Sequence, residues 1–293
     1  MAGTEASTLA LDVRPIDAAH SDAVWPLSIE AGWNQNVADW CFMLGAGQGF
    51  GCVGPDGRWQ ASSLVLPLGQ KLAWISMVLV TRERRRGGVG TGLLRHCIEK
   101  VQSAGAVAGL DATELGRPIY LPLGFRDLYE ISRWHFDQTG DTLISPPAGI
   151  SLRPLTAADL PRLAVYDRPL TGMERPAILA HLAARQPGRA WVAADAAGRI
   201  AGFVLGREGR VATSLGPLVA DNEAIAVALI ARAAASGAGP FIMDVPVVHR
   251  AVCGWLEAQR ATTPRGYTRM TLGHATGLDD PTHVFALAGP ELG

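Results

Sequence analysis

The sequence has little cysteine: its 293 residues include only four, Cys41, Cys52, Cys97 and Cys253, and no two of them form a CxxC pair. Disulfide frameworks and structural zinc sites need closely spaced ligands, so neither is expected, and no metal ligand set is predicted. The nucleophile pattern G-x-S-x-G is also absent. We expect buried free thiols, which suit the reducing cytoplasm.

Long apolar runs and an excess of one charge are also missing. No uninterrupted apolar stretch approaches the ~18 residues of a membrane span, and the first residues lack the basic and apolar regions of an export signal. The 26 basic and 27 acidic residues nearly cancel, so the whole chain exerts no long-range pull on polyanions. These absences predict a soluble cytoplasmic protein with neither membrane nor nucleic acid as partner.

The chain contains an internal repeat. The segment 11–24 recurs as 150–163, with Arg14-Pro15 matching Arg153-Pro154, and VLVT at 78–81 matches PLVA at 217–220 at the same offset of 139 residues. Two matches at one offset indicate two copies of one domain. The domain boundary falls in the Pro- and Gly-containing stretch 139–149. We predict an N-terminal domain over 1–140, a linker over 141–150 and a C-terminal domain over 151–293.

Each half mixes short apolar strands with helices, which indicates an α/β or α+β architecture. In the first half, 71–80 predicts a buried strand, and the apolar spacing from Leu93 to Val101 predicts an amphipathic helix. A strand over 106–113, a short helix ending near Tyr120 and a strand or hairpin over 125–136 follow.

Between the buried strand and the helix lies TRERRRGGVGTGLL, at 81–94. A glycine-rich turn before a helix presents backbone N–H groups to an anion, and the arginines add charge. The dinucleotide pattern fails because Leu93 replaces its third glycine, and the Walker pattern fails because Leu93 stands where lysine is required. A nucleic-acid patch and a solvated arginine turn remain as alternatives.

The motif R-x-x-G-x-G (Arg85, Gly88, Gly90), followed by YLPLGF at 120–125, resembles the GNAT acyltransferase superfamily over most of residues 10–137. The segment EAGWNQNVADW at 30–40 resembles a GNAT subgroup with a second, degenerate acetyltransferase-like domain. The resemblance implies two tandem domains with mixed, mostly antiparallel sheets flanked by helices. It also implies acetyl-coenzyme A as cofactor, with the pyrophosphate at Arg86–Thr91 and the pantetheine arm along Val78–Val80. The implied cofactor-binding residues are Val78, Leu79, Val80, Arg85, Arg86, Gly87, Gly88, Val89, Gly90, Thr91 and Thr113, the last where many relatives carry asparagine.

Acyl transfer to an amine needs a base, a donor for the carbonyl oxygen and an acid for the leaving thiolate. By resemblance Tyr120 is the acid, and the backbone N–H around Leu79 or Val80 is the donor. Many relatives carry a glutamate that acts as general base, and the corresponding position here is Ala108. Glu30 is therefore our first candidate for the base, and Asp111, Glu114 or a water chain are alternatives.

Aromatic residues near Glu30 suggest an enclosed acceptor pocket, with Trp33 and Asn34 as substrate-binding residues and Trp40, Phe42 and Trp74 as further candidates. The predicted function is an acetyl-coenzyme A-dependent N-acetyltransferase in which a small-molecule primary amine attacks the thioester directly. A protein or peptide N-acetyltransferase and a non-catalytic coenzyme A sensor are the alternatives. The second copy replaces the arginines with Asp221 and Glu223, so we expect it to bind no coenzyme A. It would pack on the first half to form a pseudo-dimer of tandem domains, and the protein would be a monomer or a homodimer.

Overall fold

Two sets of strands in the same order build the protein, as the internal repeat predicts. The computed structural model describes residues 11–137, 143–273 and 278–293. The first two residues of the predicted linker, 141 and 142, lie outside these ranges. The strands of the first half are β1 Arg14–Ile16, β2 Gln48–Val53, β3 Trp59–Pro67, β4 Leu72–Val80, β5 Val107–Ala112 and β6 Phe125–Phe136. Those of the second half are β7 Ile150–Pro154, β8 Trp191–Asp195, β9 Ile200–Glu208, β10 Thr213–Ala220, β11 Phe241–Pro246, β12 Thr262–Leu272 and β13 Val284–Ala286.

Helices flank the strands in both halves. The first half contains α1 Ser21–Glu30, α2 Val37–Ala46, α3 Val89–Ser103 and α4 Arg117–Tyr120. The second half contains α5 Leu160–Thr171, α6 Pro176–Arg185, α7 Glu223–Ala235 and α8 Arg250–Ala258. Each element that the sequence predicted for the first half is present in the structure, and 125–136 is one strand rather than a hairpin. No helix in the described ranges combines the length and apolarity that a membrane crossing requires.

One mixed, mostly antiparallel sheet runs through both halves, in the order β1-β2-β3-β4-β5-β12-β6-β11-β10-β9-β8-β7, with β13 beside β10. The centre of this order is a reciprocal exchange. Strand β12 of the second half pairs with β5 of the first half, and β6 of the first half pairs with β11 of the second. Each half therefore completes the sheet of the other, and the strand pairing crosses the predicted domain boundary.

The hydrophobic cores are partly separate and partly shared between the two halves. Helix α3 buries Leu93, Leu94, Cys97 and Val101, as its apolar spacing predicts. A separate buried cluster joins the two halves; it includes Trp40, Met43, Leu64, Trp74, Leu179, Leu182 and Phe203. Burial of this cluster stabilises the folded state by roughly 25 cal/mol per Å² of apolar surface removed from water. Both halves therefore depend on one core for stability.

The expectation of four buried thiols is wrong at one position. Cys52 and Cys97 are buried and Cys253 is half-buried, but Cys41 is exposed. It lies on α2 beside Trp40, whose side chain occupies the face that packs into the core, so the neighbouring position points outward.

Candidate active site

The arginine-glycine loop forms the N-terminal end of α3. Arg86 and Gly88 have positive φ angles of 63° and 75°, which turn the backbone sharply before the helix begins at Val89. Only glycine adopts this conformation without cost, and an L-residue such as Arg86 loses about 1–2 kcal/mol there. A loop held in this way just before a helix is typical of a backbone anion site.

The amides of Arg86–Thr91 donate no backbone hydrogen bond within the described ranges; the nearest bonds are donated by Arg85 N to Arg82 O and by Gly92 N to Gly88 O. Free N–H groups at a helix N-terminus bind anions, and the helix dipole adds to the attraction. The predicted pyrophosphate position therefore has the donors that it requires. Gly90 is also closely packed, because an added Cβ would lie 3.3 Å from Val80 Cγ2 and would require that side chain to move slightly.

Glu30 fastens this loop to α1. Its Oε1 accepts a 2.6 Å hydrogen bond from Arg82 N and lies 3.9 Å from Arg85 Nη2. Arg85 Nε in turn donates to Val80 O at 3.0 Å. Glu30 lines a separate depression together with Arg82 and not the cleft that contains Tyr120, so the structure does not bring the predicted acid and base together.

Next to the loop, β4 and β5 diverge and leave a cleft. The two strands are parallel partners only over Leu72–Trp74 and Val107–Gly109, and the register of β4 against β3 shifts around Met77, whose φ is 53°. Beyond Trp74 the β5-facing edge of β4 has no strand partner within the described ranges. An unpaired strand edge offers hydrogen bonds to an extended ligand, which is the role predicted for Val78–Val80.

The cleft brings together residues that are distant in sequence. Its lining is Trp33, Gln35, Ile75, Ser76, Met77, Val78, Leu110, Asp111, Thr113, Tyr120, Arg133, Tyr267, Pro290 and Glu291. Of the residues predicted for the site, Val78, Thr113, Tyr120 and Trp33 line it. Leu79 instead faces the core, and Val80 packs with Val89 and Leu93, so these two offer the cleft only their backbone.

Tyr120 is fixed at the end of α4 by packing. An added Cβ on Gly116 would lie 2.9 Å from the Tyr120 ring, so the ring occupies the space that a larger residue would need. Thr113 Oγ1 accepts a 3.1 Å hydrogen bond from Gly116 N and holds this turn at the end of β5. Burial raises the pKa of Tyr120 to about 12. The phenol therefore keeps its proton at neutral pH and is a donor rather than a base.

Asp111, an alternative base, is fully engaged by an ion pair. Arg269 of β12 donates to both its oxygens, at 2.9 and 3.0 Å, and Arg269 Nη1 also reaches Asp279 at 2.6 Å. Burial raises the pKa of Asp111 to about 6, against the opposing effect of Arg269. Glu114, the other alternative, is exposed beyond β5.

Only one of the residues predicted to bind the acceptor lines the cleft. Trp33 lines the cleft, but Asn34 does not: its Oδ1 accepts hydrogen bonds from Val211 N and Ala212 N, and its Nδ2 donates to Ala212 O. Asn34 thus joins the two halves. Trp40 and Trp74 are buried in the core, and Phe42 stacks on His181. The sequence did not predict four polar residues of the lining: Gln35, Arg133, Tyr267 and Glu291. No local pattern marks them, and the last two come from the second half.

The second half closes the equivalent groove. Strands β10 and β11 also pair only at their starts, over Thr213–Ser214 and Phe241–Ile242, but β13 lies beside β10 beyond that point, with Leu218 opposite Ala286. The start of α7 is capped internally, since Asn222 Oδ1 accepts from Ile225 N at 3.0 Å. In the described ranges no group of three or more His, Cys, Asp or Glu side chains could hold a metal ion.

The comparisons with known proteins agree with this architecture. Residues 23–124 match the model of the acetyltransferase (GNAT) family, and residues 163–286 match a second model, an acetyltransferase (GNAT) domain. The chain belongs to the GNAT superfamily. It carries two GNAT domains in tandem, which makes it an acyltransferase, as the loop motif and the repeat predicted.

Several known proteins resemble this chain over most of its length. An uncharacterized N-acetyltransferase of Bacillus subtilis, YitH, is 25% identical over 78% of this chain and 80% of its own length. A putative acetyltransferase from Pyrococcus horikoshii superposes with a TM-score of 0.75 at 17% identity, over 98% of both chains. A tandem GNAT protein from the clavulanic acid biosynthesis pathway gives a TM-score of 0.61 at 15% identity, over 90% of this chain and 99% of that chain. The mixed GNAT fold predicted from the sequence is confirmed.

Proposed function

We propose that this GNAT protein transfers an acetyl group from acetyl-coenzyme A to a primary amine of a small molecule. The observation that carries the proposal is the open cleft between β4 and β5, which lies beside unpartnered amides at Arg86–Thr91 and is lined by Tyr120. An anion site, an unpaired strand edge and a protonated phenol are the three features that this reaction needs.

The residues of the first half fit the cofactor. The amides of Arg86–Thr91 would hold the pyrophosphate, with Arg85 and Arg86 adding positive charge. The free edge of β4 beyond Trp74 would bond the pantetheine arm, and Val78 and Thr113 would contact it in the cleft. When bound there, acetyl-coenzyme A supplies the acetyl group as a thioester.

Tyr120 supplies the proton that the departing sulfur needs. Its hydroxyl makes no hydrogen bond to any described residue, although the ring is held on Gly116, so it is free to donate into the cleft. The backbone N–H of Leu79 or Val80 would stabilise the charge that develops on the carbonyl oxygen, an interaction whose loss typically costs 10²–10³ in rate.

The acceptor amine must lose its proton before it attacks. For an amine with a pKa near 10.4 this costs about 4.6 kcal/mol at pH 7. Both oxygens of Asp111 already accept from Arg269, and Glu30 is bonded to the loop outside the cleft. We therefore propose that water in the cleft accepts the proton, and that Glu30 positions the loop instead of acting as the base.

The shape of the cleft favours a small acceptor over a protein. Its cavity volume is about 70 Å³. Residues of both halves, including Trp33 and Pro290, form its walls. A protein acceptor would instead need an open groove for a peptide backbone.

Replacing Tyr120 by Phe tests the proposal. We expect kcat to fall about 100-fold, in the range for loss of a general acid, with the dissociation constant of acetyl-coenzyme A unchanged by calorimetry. Wild-type kcat/KM should rise with pH as the amine deprotonates and should not decline before about pH 10, because the pKa of Tyr120 is about 12.

The matched control is Tyr166→Phe, since Tyr166 bonds Asp221 in the second half, away from the cleft, and we expect it to leave kcat unchanged. Cofactor binding without turnover on amines or peptides would identify a sensor. Turnover on peptides alone would identify a protein acetyltransferase.

A further inference from the structure

Three buried polar side chains that line the cleft have acceptor atoms without partners. Glu291 Oε2, Gln35 Oε1 and Ser76 Oγ make no hydrogen bond to any residue in the described ranges and are shielded from water. The residues are only 2%, 4% and 8% exposed, respectively, and all three line the same cleft. An unpartnered buried acceptor is costly, so three in one cleft indicate a ligand that brings several N–H donors.

The ionic network behind Glu291 carries an excess of negative charge. Glu291 accepts from Arg207, which also lies 3.3 Å from Asp39. Arg185 bonds both Asp39 and Glu208. Three carboxylates thus face two guanidiniums, and the network has a formal charge of −1.

A second network on the cleft wall has the same sign. Asp111 and Asp279 share the single guanidinium of Arg269. The other ion pair that reaches the cleft, Arg133 with Asp244, is balanced. Of the charged residues that line the cleft itself, Asp111 and Glu291 are acidic and Arg133 is basic. Charge acts strongly on a ligand in a poorly solvated site, so these walls attract a cation and repel an anion.

We propose that Glu291, with Gln35 and Ser76, binds a second, non-reacting ammonium group of the acceptor, so that the substrate class is a short diamine. The inference rests on the proposed function, because it specifies the acceptor of the same site. The bound ammonium donates to Glu291 Oε2 and Gln35 Oε1, while the other nitrogen is neutral and attacks.

Glu291 suits the distal nitrogen and not the attacking one. Burial opposes its ionisation, but the charge and hydrogen bond of Arg207 and the neighbouring Gln35 outweigh burial and lower its pKa. A carboxylate that stays ionised is a poor base and stabilises the ammonium form of any amine that it contacts. At the attacking nitrogen this would slow the reaction, whereas at a second nitrogen it gives specificity.

The second half therefore completes the acceptor site. Arg207 of β9 holds Glu291, and the neighbouring Pro290 O accepts a 2.9 Å hydrogen bond from Trp74 Nε1 of β4. The segment that carries Glu291 is thus fixed from both halves. The second half, whose own groove is closed by β13, thus takes a direct part in substrate selection.

A matched series of acceptors tests the inference: 1,5-diaminopentane, 5-aminopentan-1-ol and 5-aminopentanoate, which differ only in the charge of the distal group. For the wild type we expect kcat/KM to be about 10-fold or more higher for the diamine than for the amino alcohol, as for a charged hydrogen bond, and lowest for the amino acid. In Glu291→Gln the diamine and the amino alcohol should differ by less than about 3-fold, with the loss mainly in the diamine KM.

Gln35→Leu serves as a second variant and should also lower the ratio of diamine to amino alcohol. The control is Glu174→Gln, the same change at an exposed ion pair with Arg168, which should leave the ratio unchanged. Equal use of the three acceptors by the wild type, an unchanged ratio in both site variants, or acetylation of none of the three overturns the inference. The proposed function fails separately, if a broad panel of amines releases no coenzyme A.

Discussion

The two halves share one fold and differ at a single groove. In the first half eight residues join β4 to α3, whereas only two join β10 to α7. The longer connection leaves amides without partners beside an open cleft, while the shorter one is capped by Asn222 and its groove is covered by β13. The fold alone therefore does not give an anion site beside a cleft; a few backbone groups that are left unpaired do.

The largest predicted effect is on stability and concerns the buried ion pairs between the exchanged strands. Arg269 pairs with Asp111 and Arg133 with Asp244, each across the halves, but only Arg269 also holds Asp279. We expect Arg269→Met to lower the free energy of unfolding by about 3–5 kcal/mol, because it leaves two buried carboxylates unpaired. Arg133→Met should cost less. Urea denaturation measures both.

The control is Arg58→Met, since Arg58 forms an exposed pair with Asp56 and should change the free energy by less than about 1 kcal/mol. If Arg269→Met were no more destabilising than Arg58→Met, the exchanged strand would not depend on its buried charges.

A carboxylate in the open loop should convert the first half towards the second. Gly87 has room for a side chain, with only Arg84 O at 3.5 Å from an added Cβ and no positive φ. Gly87→Asp places negative charge at the amide cradle, just as Asp221 and Glu223 replace the arginines in the sequence of the second half. We expect acetyl-coenzyme A affinity to fall about 100-fold, or about 2.7 kcal/mol, through repulsion of the pyrophosphate.

Calorimetric titration with acetyl-coenzyme A measures that affinity. Gly254→Asp, an equally unhindered position on α8 of the second half, is the control and should bind the cofactor as the wild type does. Undiminished binding by Gly87→Asp would place the pyrophosphate elsewhere.

The smallest effect concerns the fastening of the loop. Glu30→Gln weakens the bond to Arg82 N and the attraction to Arg85. If Glu30 positions the loop, KM for acetyl-coenzyme A should rise about 5-fold, or about 1 kcal/mol, with kcat unchanged at saturation. Turnover slowed by about 10-fold or more, as expected for loss of a general base, would restore Glu30 to that role. Steady-state kinetics decide, with Glu83→Gln on the same loop as the unaffected control.

Local patterns in the sequence were sufficient for much of the first half. The apolar spacing of Leu93, Leu94, Cys97 and Val101 predicted a helix because those residues are neighbours on one face. The glycines of 87–90 predicted a turn because their backbone freedom is a property of the residues themselves. The family assignment follows from this loop and from the repeat, and both are contiguous stretches.

Contacts between distant segments could not be predicted in the same way. The place of β12 between β5 and β6 depends on pairs such as Arg269 with Asp111, which are 158 residues apart. Glu291 belongs to no motif, and only folding brings it beside Gln35 and Ser76. Asn34 and Trp33 are adjacent in sequence, yet one joins the halves and the other lines the cleft, because that choice is made by the surface opposite them.

The reciprocal exchange of β6 and β12 also has a consequence for biosynthesis. Most residues of the groove belong to the first half and are translated early, but Tyr267, Pro290 and Glu291 of its lining belong to the second half. The sheet also remains incomplete until 262–272 are translated and inserted beside β5. Until then, the edges of β5 and β6 are without their partner, which is a state prone to wrong pairing. Activity should thus arise only after 262–272 have been translated, and neither half expressed by itself should yield an acetyltransferase.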